Sequence, residues 1–425
     1  VPERVVNWRT LYSWAWRVAT PLARRYLKKR GQAAPAYLEH WDERFGSVFE
    51  PQAQDVIWLH AVSVGETRAA QPLIAVLRAA WPEAPLLVTQ MTPTGRATAQ
   101  ALYPDAEVRY LPYDLPRAVQ GFFAAYRPRL GVLMETELWP NLIHAAHSAG
   151  VPLFLANARL SEKSFHGYCR VAGLIRPALR ELAGVAAQTD ADAQRLAKLG
   201  AQQVEVCGNT KYDVSPPEAQ LALGATFKRW IGARPVLVAA STRDGEEQLL
   251  LEAWRAYRGE ALLVIVPRHP ERFGAVAELA REMGFATSQR SATQGELAAA
   301  TQVWIGDSMG ELFGYYVAAD AAFIGGSLLP LGGQNLIEPA CLGVPVLFGP
   351  SMFNFQQASE WALAAGAAQQ VHDAPALVQA FQRLLADPVQ RASMRAGACA
   401  FSSAHRGASE RMVAFIKRRL AEEKT

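Results

Sequence analysis

Two runs more than 200 residues apart combine glycine, polar side chains and a carboxylate as a ligand site requires. One is Ile57-Trp58-Leu59-His60-Ala61-Val62-Ser63-Val64-Gly65-Glu66, the other Gly332-Gly333-Gln334-Asn335-Leu336-Ile337-Glu338-Pro339. Each sets glycine where an apolar run gives way to a helix, with a carboxylate just inside that helix. Glycine lets backbone N–H groups approach a ligand closely, and a helix start favours anions. Two such turns in separate α/β halves suggest a cleft enzyme acting on a phosphorylated or nucleotide-linked substrate. Ser63 to Glu66 is equally a capping-box pattern, in which Glu66 would serve only the helix start.

Other polar clusters recur at the ends of apolar runs. Met134-Glu135-Thr136-Glu137-Leu138-Trp139-Pro140-Asn141 closes a strand with two acids, one of which could simply balance a helix dipole. Gly208-Asn209-Thr210-Lys211-Tyr212-Asp213 closes the last strand of the first half and puts Lys211 beside the interdomain hinge. In Val266-Pro267-Arg268-His269-Pro270 two prolines stiffen the backbone around a guanidinium. That suits a bidentate phosphate clamp, and equally a rigid turn whose Arg pairs with an acid. Gly306-Asp307-Ser308-Met309-Gly310-Glu311 opens a helix that Asp307 or Ser308 could cap, although Gly310 is a poor first-turn residue unless something must come close. Asn335 and Glu338 have cap-box spacing, and a carboxylate there could instead accept the hydroxyls of a ribose.

Several chemistries lack their residues. There is no Gly-x-x-x-x-Gly-Lys-Ser/Thr phosphate loop, no Gly-x-Ser-x-Gly elbow and no His-Glu-x-x-His. No Asp-x-Asp of the metal-dependent sugar-transferase kind is evident, so no metal and no cofactor is required. Cys169, Cys207, Cys341 and Cys399 are far apart, which fits a reducing compartment rather than a disulfide framework.

The elements that must position these residues follow from hydrophobic patterning. Strands are expected at 56–61, 85–90, 107–111, 130–134, 152–156, 184–187 and 203–206. After the Pro216-Pro217 linker they resume at 235–240, 261–266, 301–305, 321–324 and 345–348. Helices are expected between them, for example at 66–80, 138–149, 190–199, 244–257, 270–283 and 373–385. Such alternation implies α/β architecture with parallel sheets covered on both faces. At 425 residues the chain should form two domains, over 35–214 and 215–425, with a final helix that could cross back. The form is that of two doubly wound Rossmann-like domains facing a central cleft, as in GT-B enzymes, although alternation alone fits other two-lobed α/β enzymes.

The net charge of +4 conceals an asymmetry. Residues 1–30 hold eight Lys or Arg and one acid, a charge of +7 that leaves −3 for the other 395 residues. Trp8, Tyr12, Trp14, Trp16 and Tyr26 lie between these charges. Trp and Tyr suit a membrane–water boundary, and Lys and Arg suit anionic headgroups. The segment 1–34 is therefore expected to attach peripherally to an anionic membrane, the alternative being a solvated helix that packs its aromatics on the domain. With basicity confined there, a nucleic-acid partner is not expected. No obligate protein partner is evident. No cleft motif falls within residues 1–30, so the segment reads as separable from turnover.

The ordered motifs carry a resemblance. Trp41-Asp42-Glu43-Arg44-Phe45-Gly46, Ser-Val-Gly-Glu at 63–66, Met-Thr-Pro-Thr-Gly at 91–95 and Leu-Pro-Tyr-Asp at 111–114 are followed by the 134–141 run. Ala-Asn-Ala-Arg-Leu-Ser at 156–161, Val-Pro-Arg-His-Pro-Glu-Arg-Phe at 266–273, and the Gly-Asp-Ser-Met-Gly-Glu and Gly-Gly-Gln-Asn stretches complete the series. The chain resembles the Kdo (3-deoxy-D-manno-octulosonic acid) transferases of lipid A and lipopolysaccharide assembly. That resemblance implies a GT-B enzyme at the cytoplasmic face of the bacterial inner membrane. It would move Kdo from CMP-Kdo, a co-substrate, to a lipid A precursor (lipid IVA), with inversion and without metal. It implies Glu66 as general base and Glu135 with Lys211 as transition-state support. CMP would be held by Pro267, Arg268, Met309, Gly310, Glu311, Asn335, Leu336, Ile337 and Glu338. Gln334 stands where a histidine is common in the family, and the N-terminus is basic-aromatic rather than a clear apolar anchor.

Overall fold

The central strands are mostly apolar because both of their faces are covered. The structure, a computed structural model, describes residues 7–422. It contains two seven-stranded sheets, and every strand pair in them is parallel. The first comprises β1 (Ile57–His60), β2 (Leu86–Gln90), β3 (Glu107–Tyr110), β4 (Leu130–Met134), β5 (Leu153–Ala158), β6 (Gly184–Ala187) and β7 (Val204–Val206). Their order is β3-β2-β1-β4-β5-β6-β7. Side chains alternate between two cores, Ile57 and Leu59 entering one and Trp58 the other. This is the two-sided burial that parallel sheets need.

The second sheet comprises β8 (Val236–Thr242), β9 (Leu262–Pro267), β10 (Thr287–Gln289), β11 (Val303–Ile305), β12 (Ala321–Ile324), β13 (Val346–Phe348) and β14 (Ala368–Gln370). Its order is β10-β11-β9-β8-β12-β13-β14. The three-residue edge strands β10 and β14 went unanticipated, because Thr-Ser-Gln and Ala-Gln-Gln have no apolar run to mark them. The helix expected over 66–80 is two helices, Val64–Ala69 and Gln71–Ala80. Pro72 lacks the N–H a continuous helix would use and instead starts the second one.

The chain divides after Asp213, and the second unit runs Val214–Arg406. The final helix, Ala408–Glu422, returns to the first unit. Its Met412, Val413, Phe415 and Ile416 enter the core that holds Ile57 and Leu59. Asp213 holds its start, its carboxylate accepting from the N–H groups of Gly407 (2.7 Å), Ala408 (3.1 Å) and Ser409 (2.6 Å). Gly184 makes room for it, since a Cβ there would meet Phe415 Cζ at 2.6 Å.

The basic segment is a helix, Trp8–Ala33, while Glu3 and Arg4 lie outside the described residues. Leu27 is buried and Tyr12, Ser13 and Trp16 are partly buried. On the opposite side Leu11, Trp14, Val18, Leu22 and Tyr26 recur at helical spacing and are exposed. No helix among the described residues is long and apolar enough to cross a membrane.

Candidate active site

In the first sheet β1 lies between β2 and β4, so the chain leaves it first to one side and later to the other. That is a topological switch point, where open α/β sheets bind ligands beyond their carboxyl ends. The helix that follows β1 carries Glu66 in its first turn, and the loop after neighbouring β4 carries Glu135 and Glu137. Ser63 caps Val64–Ala69, its Oγ accepting the Glu66 N–H at 3.3 Å. The Glu66 carboxylate reciprocates, Oε2 accepting the Val62 N–H (2.9 Å) and Oε1 the Ser63 hydroxyl (3.0 Å). The capping box therefore forms, and it also fixes a chemically unusual acid. Burial pushes the Glu66 carboxyl up to about 7, the charges of Glu135 and Glu137 add to this, and the bonds from Val62 and Ser63 oppose it. A carboxyl poised there exchanges a proton near neutral pH, as a general base must.

Glu135 has φ 59°, a left-handed conformation that costs a non-glycine residue and recurs at functional sites. Its N–H is held by the Ala156 carbonyl at 2.9 Å, while its carboxylate has no hydrogen-bond or ion-pair partner among the described residues. Glu137 differs in accepting the Trp139 indole N–H at 2.7 Å. Lys211 comes from the exit of β7, and a polar network draws that exit toward β5, the neighbour of β4. Buried Asn157 at the end of β5, with φ 52°, accepts the Thr210 N–H at 3.1 Å and, on its carbonyl, Gln188 Nε2 at 2.9 Å. Gln188 Oε1 in turn accepts Asn209 Nδ2 at 3.0 Å, and Asn209 Oδ1 accepts the Lys211 N–H at 3.0 Å. The Lys211 ammonium has no partner among the described residues.

In the second unit the switch lies between β8 and β12. Buried Glu246, just after β8, accepts N–H groups from Arg243 (3.0 Å), Gly326 (2.5 Å) and Leu328 (3.0 Å), joining the two exit loops. Gly325 permits the approach, because a Cβ there would meet the Ser241 carbonyl oxygen at 2.4 Å. Arg268 follows β9, its N–H donating to the Thr242 carbonyl at 3.0 Å beside Arg243. Neither guanidinium has an ion-pair partner among the described residues, so Arg268 is not the acid-paired turn residue of the alternative reading. That pairing falls to Arg272, on Asp244 and Glu247. Two unpaired guanidinium groups at a switch point suit a phosphate.

The other predicted nucleotide residues divide by environment. The helix expected from Gly306 starts only at Leu312. Asp307 does not cap it but anchors the turn after β10, accepting Gln289 Nε2 (3.0 Å) and the Ser291 N–H (2.8 Å). Gly310 lies ahead of the helix with φ 78°, so the backbone conformation requires the glycine, and Met309 beside it is exposed. The Glu311 carboxylate is braced by Arg290 Nη2 (3.1 Å) and the Ser308 hydroxyl (2.5 Å). In the 332–339 run the glycine N–H groups are spent internally, Gly332 on Ser351 Oγ (3.0 Å) and Gly333 on the Gly326 carbonyl (2.8 Å). Both glycines have φ above 70° and close side-chain neighbours, so they shape the loop rather than face a ligand. Asn335 and Glu338 pair at the start of the helix Ile337–Cys341 without forming the expected cap, Asn335 Oδ1 accepting the Ile337 N–H and its Nδ2 donating to Glu338 Oε1, both at 3.0 Å. Leu336 and Ile337 are buried, which leaves only their backbone for a ligand. No group of three His, Cys, Asp or Glu among the described residues converges to hold a metal ion.

Sequence comparison decides the family. The profile described as 3-deoxy-D-manno-octulosonic-acid transferase (kdotransferase) matches residues 39–214. The 3-deoxy-D-manno-octulosonic acid transferase of Bordetella pertussis is 43% identical over 426 residues, 95% of this chain and 97% of that protein. The chain belongs to the Kdo transferase family. Its counterpart in Haemophilus influenzae is 35% identical over 96% of this chain and 98% of that protein. UDP-GlcNAc 2-epimerase from Neisseria meningitidis shares the fold, with a TM-score of 0.58 over 85% of this chain and 99% of that one at 14% identity. The fold of this Kdo transferase family member is thus GT-B, and it is a glycosyltransferase. Sequence reasoning passed over Ser241 (φ 56°), Arg243 and Glu246, although Ala-Ser-Thr-Arg-Asp-Gly-Glu at 240–246 repeats the strand, polar turn, glycine and acid order of 57–66. Asn157 and Asp114 carried no comparable local signal.

Proposed function

We propose that this protein transfers Kdo from CMP-Kdo to a lipid A precursor, lipid IVA, in lipopolysaccharide assembly, with inversion and without metal. Family membership supports the transfer of Kdo, and one observation carries the mechanism: a Glu66 carboxyl held near 7 beside Glu135 at the switch point. An acceptor hydroxyl oxygen bonds to the anomeric carbon of Kdo while the bond from that carbon to the CMP phosphate oxygen breaks. Glu66 takes the hydroxyl proton, and CMP departs with the electron pair. Glu135, with Lys211, supports the electron-poor sugar carbon and the Kdo carboxylate. Arg268, with Arg243 beside it, stabilises the growing phosphate charge, with Pro267 and the loops from Met309 to Glu311 and Asn335 to Glu338 around the nucleotide.

The exposed apolar stripe from Leu11 to Tyr26, flanked by Arg17, Arg24, Lys28 and Lys29, fits an interfacial helix lying on anionic lipid at the cytoplasmic face of the inner membrane. Mass spectrometry of products from CMP-Kdo and tetra-acylated lipid A precursor tests the reaction, and the mass increments count the Kdo residues added. Thermal stabilisation by CMP and not by UDP is expected, because a ligand bound to the folded state stabilises by mass action. Stabilisation by UDP alone, with no Kdo product, would point to a UDP-sugar transferase instead.

A further inference from the structure

Asp114 is fully buried and replaces a missing helix cap. The helix Pro140–Ser148 begins directly after the Glu135–Trp139 loop, and its N-cap residue Trp139 supplies no side-chain capping bond. The Asp114 carboxylate instead accepts the N–H groups of Asn141 (3.0 Å) and Leu142 (2.7 Å), and its carbonyl accepts Asn141 Nδ2 (2.8 Å). Asn141 is itself buried, and its Oδ1 meets Ser13 Oγ of the N-terminal helix at 2.9 Å. The Ser13 hydroxyl also reaches the Arg9 carbonyl at 2.8 Å, so its one proton serves either oxygen. Tyr12, one residue earlier, directs its phenol at the Asp114 carboxylate. Trp16 stacks on Tyr113, with ring centroids 5.7 Å apart.

We propose that the N-terminal helix is a positioning element for the catalytic loop: Ser13 and Tyr12 brace Asn141 and Asp114, and through them set where Glu135 and Glu137 stand relative to Glu66. The inference rests on the reading of Glu66 as base and Glu135 as its charged neighbour. A helix serving only as a membrane tether has no need of buried polar bonds to the helix that ends the catalytic loop. Here the Ser13 hydroxyl bonds Asn141 in the first turn of that helix and the Tyr12 phenol faces the Asp114 carboxylate that caps it, and only five residues separate β4 from it. The Leu-Pro-Tyr-Asp run at 111–114 and the terminal Asn141 of the 134–141 run thereby acquire a joint role. The groups facing the Glu66 carboxylate are the Glu135 and Glu137 carboxylates from the β4 loop, with the Val62 N–H and Ser63 hydroxyl on its own loop. Loosening the β4 loop therefore lowers the proton affinity of Glu66 as well as misplacing Glu135.

The test uses the full chain with CMP-Kdo and detergent-dispersed tetra-acylated lipid A precursor, so that membrane binding does not enter. In Tyr12→Phe/Ser13→Ala, kcat should fall by about tenfold or more, the scale of a small misplacement in a preorganised site. The KM for CMP-Kdo should not change, the acid limb of the rate profile should move to lower pH, and Ser13→Thr should restore most of the rate. Should the double variant fail to fold, Ser13→Ala alone, which removes one hydroxyl, gives the same readouts. A folded variant with wild-type kcat and acid limb, or one whose only change is a lower melting temperature, would overturn the proposal. Glu66→Gln in the same assay separates the two readings. If it is inactive while the double variant is normal, only the positioning role fails; if it retains turnover, the base assignment itself fails.

Discussion

Glu66 and Glu135 leave neighbouring parallel strands at the switch point of the first sheet, and burial together with the Glu135 charge brings the Glu66 carboxyl to about 7. The same carboxylate completes the capping box of its own helix. Helix cap and proposed proton acceptor are therefore one residue in one geometry, so the capping bonds do not by themselves exclude the base.

As the proposed base Glu66 acts only when ionised, so kcat/KM should rise with pH through about 7 and level off above it. Glu66→Gln should abolish transfer and leave CMP affinity unchanged by calorimetry. Because the folded carboxyl titrates above its ordinary value of 4.5, the wild-type fold loses stability as pH rises from there through about 7. Glutamine has no such charge, so the variant should gain melting temperature over wild type across that window. Near-wild-type turnover in the variant would return Glu66 to a capping role alone.

Arg268→Ala should weaken CMP binding by about 1.5–3 kcal/mol, the worth of a hydrogen bond to a charged group. The guanidinium has no ion-pair partner among the described residues, so the melting temperature without nucleotide should hardly move. Calorimetry with unchanged CMP affinity would make Arg268 a turn residue.

Replacing the exposed Leu11, Trp14, Val18 and Leu22 with serine should lower binding to vesicles of any charge. Lys28→Gln/Lys29→Gln should weaken binding to anionic vesicles by about 1 kcal/mol per charge, and added salt should mimic it. These substitutions spare Tyr12, Ser13 and Trp16, whereas deleting residues 1–30 would remove the brace as well. Vesicle sedimentation unaffected by either set would place the membrane face elsewhere.

His60 is buried at the end of β1, with Nδ1 2.9 Å from Thr89 Oγ1 and Nε2 without a partner among the described residues. Burial lowers its pKa to about 3, so it stays neutral in the fold while the unfolded chain protonates it near 6.5. Stability from this group is present above pH 6.5 and lost as pH falls toward 3. His60→Phe should therefore lose less melting temperature between pH 7 and pH 5 than wild type, and an unchanged slope in calorimetric scans would contradict this.

Apolar runs such as Leu130–Met134 and Ala321–Ile324 were readable without a fold, because a strand buried on both faces needs apolar side chains whatever its partners. The cap at Ser63 was readable too, since cap and partner lie within one turn, whereas the same spacing at Asn335 gives a side-chain pair at the start of its helix and no cap. The edge strands β10 and β14 were not, being polar and held by one neighbour each. Nor was the late start of the helix at Leu312, because Asp307 is drawn to Gln289 and Ser291 rather than to the helix.

By itself the sequence determined the alternating α/β plan, the family and the carboxylates and guanidinium groups at strand ends, because each rests on local pattern or ordered motifs. Only the tertiary structure decided the order of strands, and with it which loops share a switch point. It alone set Glu135 against Glu66, joined the β8 and β12 exits through Glu246, and seated the last helix on the first sheet. It also turned Tyr12 and Ser13 toward Asp114 and Asn141. The physical reason is common to these cases. Burial, charge coupling and a buried polar atom's choice of partner depend on residues distant in the chain, and those distances exist only once the sheets have formed.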